Sequence, residues 1–151
     1  MSRLDPPQVL IERSALLALA HSDHPQHRAV SAAYTQLLEL YRSERILLVA
    51  VDRHLRVVAA GPEAGWRAKF WFFLPPRIGR FAPVDPLRVG AQHERAVNRM
   101  QQAGIVPDPD LALTLVMCER HRVRRVLTLD PRFADFDLEL DAVPTEVGAD
   151  E

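Results

Sequence analysis

Three carboxylates stand beside predicted strands and helices at positions where they could meet. Glu12 directly follows the apolar run 9–11, and Asp130 follows the apolar run 126–129. Asp110 opens a helical pattern 20 residues before Asp130, which leaves room for a helix of about three turns and a turn. Ligands of an open parallel sheet bind outside the carboxyl ends of its strands. We therefore expect the three acids to share one edge of a sheet.

Clustered carboxylates normally require a neutralising cation. Mg²⁺ and Mn²⁺ are hard cations that prefer oxygen ligands, and a site of this kind can hold a scissile phosphate and activate water for in-line attack. Each acid also has a simpler interpretation: Glu12 as a surface residue, Asp110 as a helix cap and Asp130 as a turn residue before Pro131. The matching positions of the three acids favour a metal site.

The elements that must position these acids alternate between strands and helices. Continuous apolar runs at 9–11, 46–49 and 126–129 predict buried strands, and helical spacing appears at 15–20, 26–41, 52–60, 86–103 and 108–121. This alternation predicts one α/β domain over residues 1–144, with a central parallel sheet of about four to five strands and helices on both faces. A last short strand is expected within 133–140, and the acidic tail 145–151 is expected to fray.

Composition indicates a cytoplasmic protein. The chain has 151 residues and a single cysteine, Cys118, which excludes an internal disulfide and fits a reducing compartment. No apolar run reaches membrane-spanning length, and the N-terminal residues lack the apolar region of a signal peptide. We therefore expect no membrane association.

Charge is divided unevenly along the chain. Residues 41–100 carry eleven basic and five acidic side chains, a net +6, whereas residues 101–151 carry a net −6. The two parts could neutralise each other, or the first could form a basic face for nucleic acid. The aromatic segment 63–74 predicts a helix that serves as core, as a partner or dimer groove, or as a base-stacking surface. The candidate RNA-binding residues are Arg53, Arg56, Arg67, Lys69, Arg77 and Arg80.

Three stretches of the chain resemble the PIN-domain family of metal-dependent ribonucleases, whose short members include the VapC-type toxins. They are Val-Leu-Ile-Glu-Arg-Ser-Ala-Leu at 9–16, Asp-His-Pro-Gln-His-Arg-Ala at 23–29, and the segment from Pro-Asp-Leu-Ala-Leu at 109–113 to Val-Leu-Thr-Leu-Asp-Pro-Arg-Phe at 126–133. The third match is the most specific, with an Asp at the start of a helix and a Thr-x-Asp-x-x-Phe ending.

The resemblance implies roles for five residues. Glu12, Asp110 and Asp130 would be catalytic residues and ligands of Mg²⁺ or Mn²⁺, and the hydroxyls of Ser14 and Thr128 would orient them. The resemblance also implies an RNA substrate, a cognate antitoxin protein and a homodimer.

Two departures from the family pattern leave the function open. The family usually has Asp where this chain has Glu12, and the helix after the second strand, 52–58, has no acid where the family has one. His54 on that helix is expected to be a surface or packing residue. The sequence is compatible with a PIN-type endoribonuclease that is the toxin of a type II toxin–antitoxin pair. It is also compatible with a catalytically impaired PIN-like module that binds RNA or protein, or with an unrelated α/β fold whose acids are caps.

Overall fold

One parallel sheet organises residues 6–60 and 84–141, which are the residues that the computed structural model describes. Its strands are β1 (Gln8–Ile11), β2 (Leu47–Val51), β3 (Val84–Leu87), β4 (Arg125–Leu127) and β5 (Glu139–Leu140). The helices are α1 (Arg13–Ala20), α2 (His27–Arg42), α3 (Asp52–Ala60), α4 (Ala91–Gln102), α5 (Pro109–His121) and a 3₁₀ helix, Pro131–Phe136.

The strand that carries Glu12 at its end lies in the centre of this sheet. The strand order is β3-β2-β1-β4-β5, and every neighbouring pair is parallel. In β1, Val9 lies opposite Leu48 of β2, and Leu10 lies opposite Val126 of β4. The predicted central parallel sheet is therefore confirmed, and the carboxyl ends of β1 and β4 lie side by side.

Helices cover both faces of the sheet, as the alternation of elements predicts. Val9 and Ile11 point into one core with buried residues of α1, α2 and α3, whereas Leu10 points into a second core with residues of α4, α5 and the 3₁₀ helix. Successive residues of a strand face opposite sides, so burial on both faces explains why the strands read as unbroken apolar runs.

The helix predicted over residues 86–103 starts earlier than the helix that the structure shows. Pro86 lies in β3, opposite Ala50 of β2, and α4 starts only at Ala91. Because β3 is an edge strand, the missing N–H of Pro86 need not interrupt the ladder. The amide of Gly90, which precedes α4, donates a hydrogen bond of 2.9 Å to Nδ1 of His93.

The predicted strand within 133–140 is shorter than that range. Only Glu139 and Leu140 pair with β4, and the 3₁₀ helix occupies the residues before them. Phe133 anchors that helix because its side chain is fully buried in the second core.

Some predictions fall on parts of the chain outside the described residues. These are the aromatic segment 63–74, the basic residues Arg67, Lys69, Arg77 and Arg80, and the acidic tail 145–151. None of the described helices combines the length and the apolar character that crossing a membrane requires.

Candidate functional site

Glu12 lies at the carboxyl end of the central strand and is largely buried. Its backbone N–H donates to the carbonyl of Leu127, at 2.9 Å, so the strand pairing continues up to this residue. Only 8% of Glu12 is exposed, which rules out its interpretation as a surface acid. Oε1 of Glu12 accepts a 3.0 Å hydrogen bond from the amide of Ser14, so this carboxylate also caps α1.

Two hydroxyls fix the Glu12 carboxylate in one position. Thr128 donates from Oγ1 to Oε1 of Glu12 at 2.7 Å, and the Ser14 hydroxyl donates to the same oxygen. Each hydroxyl also accepts a 2.9 Å hydrogen bond from the chain after β4, Ser14 from the amide of Leu129 and Thr128 from that of Asp130. The structure therefore brings Ser14 and Thr128 to Glu12, where the resemblance implies they should be.

Asp110 stands in the first turn of α5 with its carboxylate half exposed. The cap of α5 is Asp108, whose Oδ1 accepts hydrogen bonds from the amides of Asp110 at 2.9 Å and Leu111 at 3.2 Å. The interpretation of Asp110 as the helix cap is thus wrong. Asp-Pro directly before an apolar helical pattern is a sequence signal for a cap, and it could have identified Asp108. The Asp110 carboxylate instead faces α3, where Oδ1 is 3.5 Å from Nε2 of His54.

His54 is the site residue that the sequence analysis did not predict. Its side chain is only 3% exposed, and its Nε2 faces the carboxylate of Asp110. Burial lowers the pKa of His54, although the nearby carboxylates of Asp110 and Glu12 act to raise it. His54, Leu55 and Val58 are all buried, and their spacing places them on one face of α3. That spacing was the available signal, and it lies on the helix where the family pattern has a carboxylate.

Asp130 reaches the same edge of the sheet but is paired with an arginine. Its carboxylate caps the 3₁₀ helix through the amide of Arg132, at 3.0 Å, and accepts from the guanidinium at 2.7–3.1 Å. Nη2 of Arg132 also contacts Oδ2 of Asp108 at 3.0 Å. The hydrogen bond from Arg132 lowers the pKa of Asp130. Asp130 is therefore a turn residue before Pro131, as its simpler interpretation has it, and its carboxylate is also paired with Arg132.

The donor atoms at this edge are oxygen and nitrogen atoms of the types that bind divalent cations. Glu12 and Asp110 offer carboxylate oxygens, and Nε2 of His54 is a buried nitrogen without a hydrogen-bond partner within the described part of the chain. Across residues 6–60 and 84–141, no three His, Cys, Asp or Glu side chains are already grouped as the ligands of one ion. The site residues thus lie at one edge of the sheet, but no three of them are placed as ligands of one ion. Asp130 is paired with Arg132.

Two of the predicted RNA-binding residues lie on α3 beside His54. Arg53 pairs with Glu94 of α4 at 2.7 Å, and Arg56 lies 3.5 Å from Asp52 in its own helix. The side chains of Arg53 and Arg56 are 49% and 74% exposed. Ion pairs this exposed contribute little to stability, so both guanidinium groups are accessible to a phosphate that competes for them.

The fold matches that of solved toxins of the VapC type. The chain superposes on VapC20 of Mycobacterium tuberculosis, a toxin that cleaves the sarcin–ricin loop, with a TM-score of 0.55, 12% identity, and coverage of 84% of this chain and 93% of that one. It superposes on VapBC2 of Rickettsia felis, bound to a DNA fragment from its promoter, with a TM-score of 0.57, 9% identity, and coverage of 89% and 98%.

This likeness defines the class of fold. The chain has a PIN-like fold of the VapC type, and an unrelated α/β fold is excluded. At 9–12% identity the likeness concerns the backbone. No model of a known protein family matches the sequence, and no protein of curated function matches it.

Proposed function

We propose that this protein is a divalent-metal-dependent endoribonuclease that cleaves RNA phosphodiesters and is the toxin of a type II toxin–antitoxin pair. The observation that carries the proposal is the position of Glu12, held by Ser14 and Thr128 at the carboxyl end of the central strand. Asp110 and His54 face each other at the same edge of the sheet. VapC20, which has the same fold, cleaves the sarcin–ricin loop, and this supports RNA as the substrate class.

The residues at this edge would divide the work of hydrolysis between them. A bound Mg²⁺ or Mn²⁺ would supply the positive charge that polarises the scissile phosphate. Glu12 would hold that cation with a carboxylate whose orientation is already fixed by two hydroxyls, which reduces the entropy lost on binding. Asp110, whose carboxylate is half exposed, would supply a second negative charge to balance the cation.

Binding of the RNA backbone would fall to the arginines of α3. Arg53 and Arg56 lie within one turn of His54 and are exposed to solvent. A guanidinium group matches the geometry of a phosphate and carries no preference for base sequence. These residues would therefore position the RNA while other contacts determine which bond is cleaved.

The proposal includes an antitoxin partner, a homodimer and a cytoplasmic location. VapBC2, a chain of which has the same fold, was solved bound to a DNA fragment from its promoter, and this supports an antitoxin partner that also binds DNA. An antitoxin that blocks the edge formed by Glu12 and Asp110 would keep the nuclease inactive until it is removed.

Cleavage of RNA by site variants tests the catalytic proposal. Purified protein is incubated with total RNA and with a synthetic sarcin–ricin stem-loop, in Mg²⁺ or in Mn²⁺ and with a chelator as the blank. Asp110→Asn should lower the rate by about 100-fold or more, because losing a carboxylate weakens the hold on the cation that stabilises charge in the transition state. Asp85→Asn, which changes an exposed acid on the edge strand β3, should cleave as the wild type does.

Two results would refute the catalytic proposal. One is equal cleavage by wild type and Asp110→Asn, which would indicate a contaminating nuclease. The other is the absence of cleavage with every metal and both RNA substrates in a folded protein.

One observation favours a second function, a PIN-like module that binds RNA or protein without cleaving it. Arg132 pairs with Asp130 and also contacts Asp108, so a guanidinium group of the chain occupies part of the acidic edge. For this function, RNA binding measured by fluorescence anisotropy should be the same in chelator and in Mn²⁺. It should weaken for Arg53→Ala and Arg56→Ala, and it should be unchanged for Asp110→Asn.

A further inference from the structure

The cap of helix α4 depends on an imidazole that must stay neutral. Gly90 is the N-cap residue and has no side chain, and its amide donates a 2.9 Å hydrogen bond to Nδ1 of His93, the third residue of the helix. Glu or Gln is usual at this position, and the amide oxygen of Gln accepts such a bond at any pH. An imidazole nitrogen that binds a proton becomes a donor and no longer accepts. Protonation of His93 at Nδ1 would therefore remove this bond.

A second histidine lies against the first. His121 is the last residue of α5, and the ring centroids of His93 and His121 are 6.2 Å apart. His93 is largely buried, and Nε2 of His121 is buried without a hydrogen-bond partner among residues 6–60 and 84–141. Two positive charges this close repel each other, and a buried charge without a partner costs more than a neutral group. The contact between α4 and α5 thus favours neutral rings.

The charges around the pair do not offset this preference. The charged residues beside the two histidines along the chain are Arg88, Glu94, Arg95, Glu119, Arg120 and Arg122. Burial of the ring and the charge of His93 lower the pKa of His121, and no other charged group of the described residues contributes to that shift. A histidine whose pKa is lowered by folding gives stability that is present above about pH 6.5 and lost as the pH falls.

We propose that His93 and His121 form a pH-sensitive switch that opens the first turn of α4 when the two imidazoles bind protons. At about pH 7.5 both rings are neutral, and His93 carries its proton on Nε2 because Nδ1 accepts from Gly90. At about pH 5 a second proton binds at Nδ1 of His93, the Gly90 amide loses its acceptor, and the charge on His121 repels that on His93. This switch goes beyond the proposed nuclease activity.

Glu94 connects the switch to α3. It directly follows His93, its amide bonds to the carbonyl of Gly90 at 3.2 Å, and its carboxylate pairs with Arg53 at 2.7 Å. When the first turn of α4 opens, this carboxylate leaves Arg53, and the guanidinium becomes free for a phosphate. The use of Arg53 for RNA rests on the proposed function, whereas the opening of α4 does not.

NMR and amide hydrogen exchange of the intact chain test the switch between about pH 7.5 and pH 5, a range above that in which carboxyl groups ordinarily titrate. The Gly90 amide signal should move together with the titration of the His93 ring. The opening equilibrium of the amides of His93 and Glu94, corrected for intrinsic exchange, should rise by about tenfold or more. The amide of Ala103, which bonds to the carbonyl of Arg99 at the other end of α4, should keep its protection.

His93→Gln is the matched variant, because Gln accepts the bond from the Gly90 amide at every pH. Its opening equilibrium should change by less than about twofold over the same range. His121→Gln, which removes the facing charge, should show a smaller rise than wild type. Far-UV circular dichroism shows whether each variant folds. If His93→Gln does not fold, the wild-type titration and His121→Gln still decide the question.

Two results would overturn the switch. One is a first turn of α4 whose amide exchange and Gly90 signal stay constant in wild type over this pH range. The other is an equal rise in opening for wild type and His93→Gln.

Fluorescence anisotropy with a labelled single-stranded RNA separates the switch from the proposed function. Wild type should gain more affinity for this RNA on acidification than His93→Gln does. An opening of α4 in a protein that binds no RNA at either pH supports the switch while the proposed function fails. RNA cleavage by a protein whose α4 never opens overturns the switch while the function stands.

Discussion

Thr128→Val tests whether the hydroxyl network around Glu12 stabilises the fold. Thr128 is fully buried; its hydroxyl donates to Oε1 of Glu12 at 2.7 Å and accepts from the amide of Asp130 at 2.9 Å. Valine has nearly the same shape, so the substitution removes both hydrogen bonds without opening a cavity. The bond to a charged group contributes about 1.5–3 kcal/mol, and the unpaired amide adds about 1 kcal/mol or more. The free energy of unfolding should therefore fall by about 2.5–4 kcal/mol.

Urea denaturation followed by far-UV circular dichroism measures this change. A loss of this size should lower the urea concentration at the midpoint of unfolding. The slope of the unfolding free energy against urea concentration should stay unchanged, because the folded core stays the same. For a chain of this length it corresponds to a fall in Tm of roughly 5–15 °C. Thr35→Val is the matched control: the Thr35 hydroxyl bonds to the carbonyl of Ser31 on the exposed side of α2, so its loss should change stability by less than about 0.5 kcal/mol.

A double-mutant cycle that combines Thr128→Val with Glu12→Gln shows whether the lost stability comes from the hydrogen bond between these two residues. The coupling energy between the two positions should be about 1 kcal/mol or more, since residues in one hydrogen-bond network are not independent. The reasoning is refuted if Thr128→Val destabilises the protein no more than Thr35→Val does, or if the two changes are additive within about 0.3 kcal/mol.

Three further predictions concern the rest of the described structure. Arg132 is the largest cause of the lowered pKa of Asp130, and a lowered pKa gives stability that is present above about pH 4 and lost as the pH falls further. Arg132→Ala should therefore flatten the loss of stability in urea titrations below pH ~4; an unchanged pH profile would contradict this. Gly104 has a φ of +74°, so Gly104→Ala should cost about 1 kcal/mol by urea denaturation, and a gain in stability would show the strain argument to be wrong. Phe133 is fully buried, so Phe133→Ala should cost about 3–5 kcal/mol in the same assay, and a cost under about 1 kcal/mol would mean that the site collapses freely.

The parts of the fold that follow from burial could be predicted from the sequence. The strands β1 (Gln8–Ile11), β2 (Leu47–Val51) and β4 (Arg125–Leu127) are covered on both faces, and two-sided burial leaves an unbroken apolar run that one sequence is enough to detect. Boundaries set by single contacts were harder to predict. Pro86 fits the first turn of the predicted helix 86–103, but an edge strand also accepts a proline, because its missing N–H can face away from the ladder.

The candidate site also contains positions that the sequence predicts and contacts that it does not predict. Glu12 and Asp130 could be placed because each follows a strand, and the ends of adjacent parallel strands coincide. The pairing of Arg132 with Asp108 could not be predicted, because it joins the 3₁₀ helix to the cap of α5, which only the tertiary structure brings together. The burial of His54 was detectable from helical spacing, but its approach to Asp110, 56 residues later, is a property of the tertiary structure.

The central position of β1 determines when the acidic edge can assemble during translation. The ribosome makes β4 more than a hundred residues after β1, yet the two strands are neighbours in the sheet. Until β4 arrives, one side of β1 has unpaired backbone groups and Glu12 lacks the hydroxyl of Thr128. A nascent chain of this protein therefore cannot form the complete edge while its later part is still being synthesised.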